Sequence, residues 1–123
     1  GLPNLEKVYG YSFQDVVPME PTLLYQAVDM GQVDIIPASS TDARIDLFNL
    51  TTLSDDKAAL APYDSILLVT SGRGTDPVFM STLEQVMGLI DTETMRSLNR
   101  KFDVDKMDAG AIAEEFLISQ GLL

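Results

Sequence analysis

Hydrophobic positions change period several times along the chain, and each change marks an element. Residues 4–9 read as a short helix or a helix end. Tyr11 to Val17 is rich in aromatic and β-branched residues, which predicts a strand. Pro18 and Pro21 bracket its exit, and Pro21 suits the first turn of a helix. Leu23, Leu24, Ala27 and Val28 then share one helical face, and Gly31 suits the left-handed position that closes it. Val33-Asp34-Ile35-Ile36 predicts the next strand, stopped by Pro37. Strand, helix and strand within about 27 residues is the signature of a βαβ unit with parallel strands. Parallel strands need cover on both faces, so the fold class expected is α/β, a parallel-rich sheet with flanking helices.

The pattern changes character near residue 63. Phe48, Leu50 and Leu53 alternate weakly before a charged turn, Asp55-Asp56-Lys57. Pro62-Tyr63-Asp64 leads into a strand predicted over residues 65–70. Three helical segments follow. Ser81-Thr82-Leu83-Glu84 reads as a capping box, with Leu83, Val86, Met87 and Ile90 as its stripe. Met95, Leu98 and Phe102 form a second stripe. Asp108 caps a third helix bearing Ala109, Ile112, Ala113, Phe116 and Leu117 on one face, with Gly121 near its end. A chain that crosses between two lobes has this organisation.

Composition then removes whole classes of chemistry. The 123 residues include no Cys and no His. A thiol nucleophile, a disulfide, a Ser-His-Asp triad and His- or Cys-ligated metals are thereby excluded. The net charge of −11 repels phosphate backbones and anionic lipid surfaces, so nucleic acid is not expected as a partner. No secretory signal is visible at Gly1, and a mature or trimmed chain would look the same. No catalysis, metal or cofactor is expected.

Ligands in open α/β sheets bind beyond the carboxyl ends of the strands. The segment after Ile36 is therefore the first candidate site. Ser39, Ser40, Thr41, Asp42 and Arg44 place three hydroxyls, a carboxylate and a guanidinium within six residues. Such a loop can grip a small polar solute, or it can simply cap a helix. Arg44 is either a carboxylate clamp or a helix-end ion pair. Tyr63 offers a π face for a cation, or packs as a core tyrosine. Tyr25, among Leu23, Leu24 and Ala27, reads as packing. The acids of residues 103–108 lack the oxygen ligand and glycine of a calcium loop and read as solvated groups with a helix cap. Gly72-Arg73-Gly74 is a surface turn and not a phosphate loop.

Several blocks in register carry a resemblance. They are Leu24-Tyr25-Gln26-Ala27 before Gly31-Gln32-Val33-Asp34-Ile35-Ile36, then Ser40-Thr41-Asp42-Ala43-Arg44-Ile45, Leu53-Ser54-Asp55-Asp56-Lys57 and Pro62-Tyr63-Asp64. With Phe116-Leu117 and Gly121-Leu122-Leu123, they resemble the solute-binding proteins of osmoprotectant ABC importers, the glycine betaine, choline and proline betaine type.

The resemblance implies a two-lobed, type II periplasmic-binding-protein-like fold, present in part. Residues 1–62 would belong to the second lobe. Residues 63–123 would form the crossover strand and helices returning to the first. It implies a solute carrier that works with an ABC permease outside the cytoplasm, in the periplasm or at the cell surface, membrane-anchored or fused to the permease. Ser39, Ser40, Thr41, Asp42 and Tyr63 would bind the solute. Ser39 stands where the family commonly has a cage tyrosine, so a quaternary ammonium loses one wall. The resemblance covers only the C-terminal half of the family's binding domain. Open sheet edges would result, and they imply self-association, a domain-swapped dimer or a larger parent. The alternative function is the ligand-sensing domain of a transcription regulator, which shares the two-lobed design.

Overall fold

Helix caps define the architecture more clearly than any sheet does. In the computed structural model, which describes residues 1–123, the chain forms seven helices. They are α1 (Leu2–Tyr9), α2 (Leu24–Asp29), α3 (Arg44–Leu47), α4 (Ser71–Gly74), α5 (Pro77–Glu84), α6 (Thr92–Asp103) and α7 (Ala109–Ser119). The three C-terminal helices are each started by an aspartate. Asp76 accepts from the backbone N–H groups of Val78 and Phe79, Asp91 from Thr94 and Asp108 from Ala111.

The helix expected to start at Ser81 starts earlier. Asp76 caps it and Pro77, with its fixed φ, occupies the first turn. The Ser81 and Thr82 hydroxyls instead donate back to the Val78 carbonyl from inside the helix. Gly88 then ends the segment with φ 78°, a conformation a Cβ would strain. Residues 72–74, expected as a surface turn, form most of the short α4.

No strand forms. The strands expected over residues 11–17, 33–36 and 65–70 are neither helical nor paired. No backbone–backbone hydrogen bond involves residues 33–38 or 60–69. A parallel ladder needs two such segments side by side, about 4.8 Å apart, exchanging bonds. These segments exchange no such bonds, so the expected βαβ unit and parallel sheet do not form as a hydrogen-bonded ladder here. Ile66, Leu67 and Leu68 are mostly exposed, as are Val16 and Val17.

The core is correspondingly small. Tyr25, Ala27, Ala43, Ile45, Ala59 and Ile112 are its buried members. The first four belong to α2, to α3 or to its N-cap, and the Tyr25 ring faces Phe48 and Arg44. Leu23, expected on the buried face of α2, is half exposed, and Tyr25 takes the interior place.

Two smaller ties hold the ends. Asn4 of α1 donates to the Ala59 carbonyl. Asp55 accepts from the Ala59 and Leu60 N–H groups and from the Tyr9 hydroxyl, and the Lys57 ammonium lies 5.0 Å from the Tyr9 ring centre. The charged turn is thus a clasp between α1 and residues 55–60. Lys101 joins α6 to α7 by an ion pair with Glu115 at 2.7 Å.

The solvent-accessible area is 9620 Å². A compact monomer of this mass exposes roughly 6,500 Å². The excess is apolar in good part, as the exposed segment around Leu67 shows. No helix is long and apolar enough to cross a membrane.

The aspartate caps make a direct test. Asp108→Ala is expected to lower stability by about 1 kcal/mol, because it strands a helix N–H donor. Urea unfolding of the two forms measures it. An unchanged midpoint would mean the Asp108 carboxylate contributes nothing to α7.

Candidate functional site

The segment from Ser39 to Arg44 joins an irregular stretch to α3, and its local chemistry explains its shape. The Asp42 N–H donates to the Ser39 carbonyl at 3.0 Å, closing a turn. The Asp42 carboxylate then accepts from the Arg44 N–H at 3.0 Å, the pattern of an aspartate turn. The hydroxyls of Ser39 and Thr41 lie 3.3 Å apart on the exposed side.

Beneath the turn sits a compact charged cluster. Arg44 grips Asp42 with two parallel bonds, Nε to Oδ1 at 3.0 Å and Nη2 to Oδ2 at 2.8 Å. Its guanidinium lies 4.1 Å from the centre of the Tyr25 ring, and Phe48 stacks on that ring with centroids 6.1 Å apart. Nη1 of Arg44 is left without a hydrogen bond inside the chain.

The Arg44 guanidinium, with help from the Arg44 N–H, lowers the Asp42 pKa against the opposing effect of burial. Asp42 in turn raises that of Arg44. Burial first, then the neighbouring Asp42 carboxylate, pushes the Tyr25 hydroxyl up to about 12. That hydroxyl is buried and makes no hydrogen bond of normal geometry, although Asp42 is close enough to raise its pKa.

A second set of residues reaches the loop from far along the chain. Arg96 of α6 donates through Nε to the Ser40 carbonyl at 2.8 Å, and its Nη1 lies 3.5 Å from Asp46. Asn99 donates through Nδ2 to the Thr41 carbonyl at 2.9 Å. Arg96, Asn99 and Asp46 are not among the site residues expected from the sequence. Their signal was faint: Arg96 and Asn99 stand three residues apart, hence on one face of α6, bordering its apolar stripe.

The structure therefore brings Ser39, Ser40, Thr41, Asp42 and Arg44 into one turn, with the two serines exposed and the other three half-buried. Tyr63 stands apart from them: it is 98% exposed and has no polar or aromatic contact with the loop. A groove of about 530 Å³ lies between α6 and α7, and none of the loop residues lines it. A smaller one of about 430 Å³ adjoins the loop's support through Asp46 and Arg96.

What the arrangement can do is bind. Hydroxyls and free N–H groups face solvent from a turn whose carbonyls are already engaged, the chemistry of a small polar acceptor site.

Residues 1–119 match the family described as the substrate-binding domain of ABC-type glycine betaine transport systems. A carnitine transport binding protein of Listeria monocytogenes is 35% identical over 118 residues, which are 95% of this chain and 38% of that protein. A glycine-betaine-binding protein of Pseudomonas aeruginosa is 29% identical, over 100% of this chain and 40% of its own length. An ergothioneine transport permease and binding protein of Helicobacter pylori is 28% identical over 97% of this chain and 22% of its own length.

The crystal structure of a glycine betaine/carnitine/choline ABC transporter superposes with a TM-score of 0.85 at 32% identity. That match covers 99% of this chain and 45% of the other. The chain thus spans less than half the length of each of these relatives, and over that stretch its fold is that of an ABC-transporter binding protein.

The depressed pKa of Asp42 sets a pH dependence. A folded pKa below the unfolded one gives stability that is present above the unfolded value and lost as pH falls through the folded value. Stability should therefore drop as pH falls below about 4. Asp42→Asn should be less stable at neutral pH and should flatten that drop. Denaturant midpoints collected from acid to neutral pH check it, and an unchanged acid profile would remove Asp42 from the account.

Proposed function

The chain belongs to the family of substrate-binding domains of ABC-type glycine betaine transport systems, and from that premise we propose that it is part of the solute-capturing component of an ABC importer. Its solute is glycine betaine, choline or a related small polar molecule, and no reaction is catalysed. The observation that carries this reading is the hydroxyl turn of residues 39–42, whose carbonyls are tied down while the Ser40 hydroxyl and the Ser39, Ser40 and Thr41 N–H groups have no partner in the chain.

Carnitine, glycine betaine and ergothioneine, the solutes for which the relatives are named, share a trimethylammonium group and a carboxylate. The turn suits the carboxylate end. Ser39, Ser40 and Thr41 donate to it, with Asp42 holding the turn in shape. Tyr63 suits the cationic end as one wall of a cage, worth roughly 0.5–2 kcal/mol by cation–π attraction. Its full exposure fits a wall that closes on its partner walls only when the domain is complete. Ser39 supplies a hydroxyl where the family commonly has a further tyrosine, which tilts the site toward a solute with more polar groups.

In this reading residues 1–62 contribute to the second lobe, and residues 63–123 cross to the first. Capture is a closure of lobes about the crossover. The component works outside the cytoplasm, anchored to the membrane or joined to the permease. The relatives described above are all transport proteins, and nothing observed favours a transcription regulator.

The exposed apolar segments fit the same proposal. Unpaired segments such as residues 65–70 recruit further strands. The excess accessible area, roughly 3,000 Å², is the size of an obligate interface. The 123-residue chain by itself should therefore self-associate at micromolar concentration. Sedimentation velocity tests it, and a single monomeric species across the range would contradict it.

Calorimetric titration of glycine betaine, choline and carnitine into the intact protein tests the function. Binding of at least one is expected there, with weaker or no binding by this chain alone. No binding of any of the three would sink the betaine reading. Ser39→Tyr should strengthen quaternary ammonium binding by roughly threefold to thirtyfold. Tyr63→Ala should weaken it by a similar factor.

A further inference from the structure

The turn of residues 39–42 has no sheet or long helix to hold it, so its peptide groups must be accounted for one by one. The Ser39 carbonyl accepts from Asp42 N–H, the Ser40 carbonyl from Arg96 and the Thr41 carbonyl from Asn99. The peptide unit is planar and trans, so its C=O and N–H point in opposite directions. Fixing the Ser40 carbonyl toward α6 therefore aims the Thr41 N–H away from α6. That N–H has no partner in the chain. Fixing the Thr41 carbonyl likewise aims the Asp42 N–H, which donates back to Ser39 and closes the turn.

We propose that Arg96 and Asn99 are positioning residues for solute binding: they touch no solute, but by clasping the Ser40 and Thr41 carbonyls they set the direction in which the turn presents its donors. This rests on the reading of residues 39–42 as the solute turn. Arg96 is suited to the task because its side chain is only 20% exposed and is steadied by Asp46. Asn99, one helical turn on, takes the next carbonyl, so two successive peptide planes are locked from one rigid face. The clasp also reaches from beyond residue 63 back to the first half of the chain, so movement of α6 is transmitted to the turn. A turn that is only partly in its competent arrangement binds more weakly in proportion to that fraction.

The test uses the intact protein, with glycine betaine and carnitine as probes. Arg96→Ala and Asn99→Ala should each speed hydrogen exchange at the Asp42 amide. Each should weaken affinity by roughly tenfold while the midpoint of global unfolding changes little. Arg96→Lys keeps a charged donor without the planar fork, and should fall between wild type and Arg96→Ala. If Arg96→Ala does not fold, Asn99→Ala, which removes one hydrogen bond, carries the test.

Faster exchange with unchanged affinity would overturn the proposal, and so would unchanged exchange. Ser39→Ala and Thr41→Val, run in parallel, separate the two layers. If they weaken binding while the α6 variants do not, the turn binds solute and the positioning role is wrong. If they too leave affinity unchanged, the solute turn itself is misplaced and the positioning role falls with it.

Discussion

The Asp42–Arg44 ion pair, lying on the ring of Tyr25, is the contact on which the rest of this structure hangs. It joins three pieces that have little else in common: α2, the hydroxyl turn and α3. Of the six buried residues, Tyr25 lies against it and Ala43 and Ile45 flank it in the chain. The pair is geometrically strong because it is bidentate, and it is only partly screened, with Asp42 21% exposed. Arg44 answers its two sequence readings in geometric terms. Two donor atoms serve Asp42, and only Nη1 has no hydrogen bond in the chain. The Tyr25 hydroxyl is the one buried side-chain polar atom without a hydrogen bond of normal geometry. Its cost is tolerated because the ring supplies the platform for the guanidinium.

Helices were legible where a local chemical signal marks them. Asp108 and the stripe through Ile112 and Phe116 define α7 almost to the residue. Asp91 and Asp76 carry the same signal. At Ser81 an N-cap pattern was present but outranked, since Asp76-Pro77 combines a charged acceptor with a preset φ. Strands were not legible in the same way. Tyr11, Val33 and Ile66 have the right propensity, but a strand is a relation between two segments, and propensity says nothing about whether the second one is there.

The site divides similarly. The hydroxyl turn was visible because its chemistry is contiguous: Ser39 to Arg44 can be read in one glance along the chain. Arg96 and Asn99 were not, because they reach the turn across more than fifty residues, and an arginine on a helix face ordinarily means solvation. Tyr63 was singled out from its neighbours in sequence, and the structure leaves it exposed and apart from the turn. The charged turn at Asp55 shows the converse. A block read only as a charged turn proves to be a clasp, with the Asp55 carboxylate taken up by backbone N–H groups and by Tyr9.

The way the turn is held has a consequence for ionic strength. Added salt shortens the range of charge–charge attraction to about 3 Å at 1 M, which weakens exposed pairs such as Lys101–Glu115 first. The clasp of Arg96 and Asn99 ends on neutral peptide carbonyls at direct hydrogen-bond distance. Attraction to a neutral carbonyl is short-ranged, and screening weakens it less than it weakens an ion pair. A chain with eleven excess negative charges thus holds two carbonyls of this turn by contacts to neutral groups, whereas the Asp42–Arg44 pair beside them is open to screening.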